Sequence, residues 1–278
     1  MRSLLFSTLL SAGLFAGCDF GPDTSQPPAT LASVERFTYE AAIGDGLTLS
    51  AIRAGTGRRV ILVHGTPGEG VQLAELVAER AGAYEAIAID RPGFGQSEPD
   101  GAVVAIADQA AAIYPLLEDV DGKKPILFGH SLGGPIVAWA AAERPDDIGA
   151  IVLAAAALDP GLEDVHPMQY VGAVWPFRAL LPRELRNAND ELIPLEGDLE
   201  TLSGMLDRIT APVVVIHGTE DDLVPVANVP FMRAAFADGP PYDEIVLEGA
   251  NHFLPWERKS NLDDSIARAI AMAEAAGR

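Results

Sequence analysis

With 278 residues, of which 49% are hydrophobic and 21% charged, the chain is long enough for one domain with a large core and too apolar to be disordered. Its 40 Asp and Glu against 19 Lys and Arg leave a formal net charge of -21. That balance argues against nucleic acid, a polyanionic substrate or adsorption on anionic lipid, because phosphates call for Lys and Arg.

At the N-terminus, Arg2 precedes an apolar run over residues 4–16 that is too short to span a bilayer comfortably. Ala16 and Gly17 follow, and then Cys18, the only cysteine. Residues 1–17 have the pattern of a secretory signal peptide. The ending Leu14-Phe15-Ala16-Gly17-Cys18 resembles a bacterial lipobox. The resemblance implies that Cys18 becomes the lipidated first residue of an exported protein, held on a membrane and facing the periplasm or the cell exterior. Several acyl chains together would anchor it stably. Residues 18–32, rich in Pro, Ser, Thr and Asp, are expected to form a flexible tether.

From residue 33 onward, strand and helix patterns alternate. Segments 36–40 and 47–51 alternate in polarity and predict an antiparallel hairpin. Apolar strand patterns recur at 59–63, 84–89, 125–128, 148–156, 213–216 and 244–247, with helical spacing over 71–81, 105–117, 134–143 and 262–275. Such alternation predicts an α/β fold with a mostly parallel sheet covered on both faces. The rhythm breaks between about 160 and 208.

The chemistry sits at strand ends. After Pro125-Ile126-Leu127-Phe128 comes Gly129-His130-Ser131-Leu132-Gly133, a Gly-x-Ser-x-Gly turn leading into a helix pattern. In that setting the serine stands at the apex of a nucleophile elbow, where a Cβ at either glycine would clash. A serine hydroxyl needs a base. The strand at 213–216 ends in a loop holding Glu220, Asp221 and Asp222, and the strand at 244–247 ends in Asn251-His252-Phe253. His252 is the candidate base. Asp221 is the candidate for orienting its imidazole, with Asp159, after the strand at 148–156, as the rival acid. The backbone N–H groups of Thr66, in the loop after the third strand, and of Leu132 are candidates for holding an oxyanion.

Five motifs in this order resemble those of the α/β-hydrolase fold family, in its serine-hydrolase branch: His64-Gly65-Thr66-Pro67, Asp90-Arg91-Pro92-Gly93-Phe94-Gly95-Gln96-Ser97, the elbow around Ser131, Gly218 to Pro225, and Gly249 to Phe253. The resemblance implies one hydrolase domain over residues 33–278 with a short cap inserted at about 160–208. It implies carboxylic esters as small-molecule acyl substrates, ahead of thioesters, lactones or amides. A C–C bond hydrolase with the same triad, using Arg178, Arg183 or Arg186 to bind a carboxylate, and a non-catalytic surface lipoprotein are the alternatives.

Within the cap interval, the apolar half contains His166, Trp175 and Phe177, and the acidic half is expected to face solvent. The two aromatics are expected either to line an acyl pocket or to anchor the cap. His64, His130 and His217 are expected to be packed histidines that shape their turns, and Glu220 and Asp222 to be solvated. No His, Cys and carboxylate cluster has metal-ligand spacing, and no glycine pattern suits a dinucleotide, so neither a metal nor a cofactor is expected. Nothing in the sequence fixes an oligomeric state.

Overall fold

A computed structural model describes residues 25, 27–79, 82–163, 165 and 167–278. The expected signal peptide, Cys18 and most of the tether lie outside these residues, as does His166. Where the tether was expected to end, the structure has a short helix, α1 (Pro28–Ala32).

Eight strands form one sheet in the order β1-β2-β4-β3-β5-β6-β7-β8. They are β1 (Glu35–Ala41), β2 (Leu47–Ala54), β3 (Arg59–Val63), β4 (Glu85–Ile89), β5 (Ile126–His130), β6 (Ala150–Ala154), β7 (Val213–Gly218) and β8 (Tyr242–Leu247). The β1–β2 hairpin is antiparallel, β2 runs antiparallel to β4, and every pairing from β4 to β8 is parallel. Along the central strands alternate residues enter two cores. Ile61, Leu127, Ile151 and Val213 face one layer, while Val60, Leu62, Phe128, Val152 and Val214 face the other. Burial on both faces explains why these strands read as continuous apolar runs.

The first layer holds α3 (Ile106–Ala111), α4 (Gly133–Glu143) and α9 (Asn228–Ala235); the second holds α2 (Ala74–Glu79) and the C-terminal α11 (Lys259–Ala275). A four-residue helix, α10 (Leu254–Glu257), precedes α11. Helix α4 is buried from Gly133 to Ala142, so it has no polar stripe of its own. The turn after β4 folds around one carboxylate. Asp90 accepts N–H bonds from Gly70 at 2.7 Å and Gln96 at 3.1 Å and pairs with Arg36 at 2.7 Å.

The cap contains α5 (Pro167–Ala173), α6 (Phe177–Leu180), α7 (Arg183–Leu192) and α8 (Leu195–Ser203). Trp175 is 82% exposed and Phe177 48%. One expectation is corrected here. The acidic half does not all face solvent. Asn187, Ala188 and Glu191 of α7 are buried, and Leu195, Leu199 and Leu202 of α8 join the first core layer. Composition marks a segment as apolar or acidic, but the sheet decides which of its faces is covered. Among the described residues no helix is long and apolar enough to cross a membrane.

Leu199→Ala is expected to destabilise the domain by about 2–5 kcal/mol through the cavity it leaves. Leu180→Ala, at a 76% exposed position of the same cap, should stay within about 0.5 kcal/mol. Urea unfolding of both variants reads the contrast directly.

Candidate active site

The elbow forms because β5 reverses into α4 with no loop between them. Ser131 carries the turn at φ 55, in the left-handed region that is strained for a side chain. Its N–H donates to Ala154 O and its carbonyl accepts from Gly134 N–H, both at 2.9 Å, which hold the strained residue in place. A Cβ on Gly129 would lie 2.2 Å from Gly133 O, and one on Gly133 would lie 2.3 Å from Val63 O. Any other residue at either position would open the turn. Leu132 stands at the start of α4, where amides have no intrahelical acceptor.

The loop after β3 passes directly beside the serine. A Cβ on Gly65 would sit 2.8 Å from Ser131 Cβ and 3.3 Å from its Oγ. The Gly65–Thr66 peptide therefore borders Ser131. His64 is buried, and its Nδ1–H donates to Gly65 O at 2.7 Å while its Nε2 accepts the Arg91 N–H at 3.1 Å.

Asp221 and His252, distant in sequence, meet because the loops after β7 and β8 are joined. Glu220 N–H donates to Ala250 O at 2.9 Å, Thr219 N–H to Leu247 O at 3.0 Å, and Gly249 N–H to Thr219 Oγ1 at 2.9 Å. A Cβ on Gly218 would lie 2.2 Å from Ala250 O. His252 Nδ1–H then donates to Asp221 Oδ2 at 2.8 Å. The other carboxylate oxygen accepts the N–H groups of Leu223 at 2.9 Å and Val224 at 2.8 Å. Asp221 is 6% exposed, so this carboxylate is fully engaged and cannot swing away. With Nδ1 carrying the proton, Nε2 is left as a base. Asp159, the rival acid, instead accepts the Gly161 N–H at 2.9 Å and caps a short helical turn. Glu220 and Asp222 are exposed.

Packed histidines surround His252. His130, adjacent to Ser131, donates from Nε2 to His252 O at 3.0 Å, with the two rings 4.9 Å apart and Trp256 edge-on to His130. His217 donates to Val224 O at 2.9 Å. Beside the β3 loop lies a cleft of about 320 Å³ lined by Pro67, Gly68, Glu69, Gln72, Gly95 and Glu184. Burial raises the Glu69 carboxyl above its ordinary value, and Asp90 adds to the effect.

Sequence reasoning missed how the site is backed. Arg91, read only as part of a turn motif, is buried, and it binds Gly65 O at 2.9 Å and Glu191 of the cap. A charged residue inside an otherwise Gly-rich turn was the available signal for Arg91. Glu191, one of several acidic residues on an α7 that reads as polar, carried none.

Residues 60–262 match the alpha/beta hydrolase family. The chain belongs to that family and is a hydrolase. It is similar to the uncharacterized hydrolase YugF of Bacillus subtilis, 26% identical over 250 residues that cover 76% of this chain and 89% of that one. It is also similar to the pimeloyl-[acyl-carrier protein] methyl ester esterase of Aeromonas hydrophila, at 24% identity over 74% of this chain and 92% of that one. Among solved structures, the 2-hydroxy-6-oxo-6-phenylhexa-2,4-dienoate hydrolase of Rhodococcus shares the fold, with a TM-score of 0.66, 19% identity and coverage of 86% and 99% of the two chains.

The histidine shell makes stability depend on pH. Burial, with His252 beside it, pushes His130 down to about 3, and burial also lowers His64 and His217. The unfolded chain protonates its histidines below about pH 6.5. Between those limits it binds more protons than the fold does, so stability falls as the pH drops through that interval. Thermal melts from pH 7 to 4 should show the midpoint falling. His130→Gln, which keeps a donor for His252 O, should make that fall shallower.

Proposed function

We propose that the protein hydrolyses carboxylic esters of small acyl substrates through an acyl-enzyme on Ser131. The observation that carries this reading is the buried Asp221–His252 bond at 2.8 Å, on loops that converge on the same end of the sheet as the elbow serine. Ser131 attacks the acyl carbon while His252 Nε2 takes its proton. Asp221 keeps the imidazole in one tautomer and stabilises the imidazolium. Negative charge on the former carbonyl oxygen is met by the N–H groups of Thr66 and Leu132. His252 returns the proton to the leaving alcohol, and water repeats the sequence to release the acid.

The methyl ester esterase among the relatives fits this reading. The carboxylates of Glu69 and Glu184 in the adjoining cleft favour neutral over anionic substrates. C–C bond hydrolysis would need an arginine free to bind a substrate carboxylate. Arg178 pairs with Asp190, Arg186 with Asp100, and Arg183 binds the carbonyls of Gly95, Ser97 and Pro99. All three are already engaged. We also propose that Cys18 is lipidated and holds the hydrolase on a membrane outside the cytoplasm.

Ser131→Ala is expected to abolish both fluorophosphonate labelling and p-nitrophenyl ester hydrolysis with the fold intact; labelling that persists on another serine would refute the assignment. Asp221→Asn should lower kcat by about 10⁴, because the amide favours the wrong tautomer. Asp159→Asn should have a far smaller effect, and the reverse ranking would transfer the acid role to Asp159. For the anchor, Cys18→Ser should release the protein from the membrane fraction, or leave it unprocessed. An unmodified Cys18 in the mature chain, found by mass spectrometry, would remove the claim.

A further inference from the structure

Arg91 lies in the turn after β4, and its side chain is 1% exposed. The two terminal nitrogens of the guanidinium use all four of their donor directions inside the fold. Nη1 and Nη2 each donate to one oxygen of Glu191 at 2.9 Å, in a bidentate pair. Nη1 also donates to Gln109 Oε1, whose amide nitrogen in turn donates to Glu191 at 2.8 Å. The plane of the guanidinium stacks on Phe94, with its carbon 4.6 Å from the ring centre. Nη2 has one further partner, and it is Gly65 O, 2.9 Å away in the loop beside Ser131.

That carbonyl is therefore gripped by two donors, Arg91 Nη2 and His64 Nδ1. His64 is itself held by the main-chain N–H of Arg91. The loop also closes over the same oxygen, since a Cβ on Gly68 would lie 3.0 Å from it. The Gly65 carbonyl and the Thr66 N–H belong to one trans peptide unit, in which the two point in opposite directions. Holding the oxygen inward fixes the N–H outward. The peptide cannot rotate without leaving a buried guanidinium short of an acceptor.

We propose that Arg91 is a positioning residue for the oxyanion loop, fixing the direction of the Thr66 N–H, and that Glu191 of the cap holds Arg91 in the pose that does so. The proposal rests on the reading of Thr66 as an oxyanion donor. It links cap and chemistry. Displacing α7 removes Glu191, frees the guanidinium and lets the Gly65–Thr66 peptide turn. A purely structural ion pair would need only the Arg91–Glu191 contact. The bond to Gly65 O adds nothing to cap attachment, yet it bears directly on the loop bordering the nucleophile.

The test compares Glu191→Gln, Arg91→Lys and the double variant Arg91→Met/Glu191→Leu in the full chain. The double variant removes both buried charges together, a change that folds tolerate. The readouts are kcat and KM on p-nitrophenyl acetate, the Ki of an alkyl boronic acid and the thermal midpoint. The boronic acid forms a tetrahedral adduct on Ser131 and needs the same oxyanion donors. Removing one such donor typically costs about 10²–10³ in kcat. The double variant should fold and keep KM within about 3-fold, while kcat falls about 10²-fold and the boronate Ki rises by the same factor. Arg91→Lys, with a single donor head, should restore only part of the loss, and Glu191→Gln should lie between it and wild type. Wild-type kcat in a folded double variant would reduce the pair to a structural role. A fall in kcat with an unchanged boronate Ki would equally overturn the proposal. If the double variant does not fold, the isosteric Glu191→Gln decides by the same parallel between kcat and Ki. Hydrolysis that survives Ser131→Ala would defeat the proposed function itself. Loss of hydrolysis in Ser131→Ala beside wild-type kcat in the cap variants would defeat only the positioning role.

Discussion

The site depends on three backbone approaches too close for a Cβ. Gly129 lies against Gly133, Gly65 against Ser131, and Gly218 against Ala250. Each brings together segments that the parallel sheet delivers to one end but does not by itself bring into contact. At Gly129 the strand turns back onto its own helix. At Gly65 the β3 loop reaches the serine. At Gly218 the β7 and β8 loops join, and only then can Asp221 reach His252. The glycines act by steric permission. The energy that holds the approaches comes from the apolar layers on either side of the sheet and from the buried hydrogen bonds between loops.

Four buried charges are held by fixed partners. Asp221, Asp90, Arg91 and Glu191 are all buried, and each has fixed partners. Unpaired, any of them would be driven toward neutrality or out to solvent. The protein carries a net charge of -21, yet few of its charged side chains lie in its interior. Repulsion is left to the surface, where water and salt screen it. The packed histidines follow the same logic. They are kept neutral, so each can act as a donor or an acceptor without adding positive charge beside the base.

The central sheet and the candidate site residues were legible in the sequence because local rules govern them. A buried parallel strand is apolar along its covered length, and residues 60–63, 126–128, 150–154 and 213–216 are. An elbow needs small residues on both sides of its serine, and Gly129 and Gly133 supply them. The candidate acid and base follow strands that end in polar loops, which is how Asp221 and His252 could be named. The cap was not legible in this way. Its helices are short, and their burial is decided by surfaces far away in the chain. Trp175, expected to line a pocket or anchor the cap, is exposed, whereas Glu191, in the half expected to face solvent, is buried.

The sequence by itself determined the fold class, the polarity of the strand ends and the candidate site residues, because each follows from local patterns and their order along the chain. Only the tertiary structure decided which carboxylate meets His252, since Asp221 and Asp159 both follow strands of the same sheet and differ only in what packs around them. Only the tertiary structure revealed that Arg91 joins the cap to the loop beside Ser131. That contact spans 100 residues to Glu191 and 26 to Gly65. Its stability comes from burial, a property of the folded whole that no local pattern encodes.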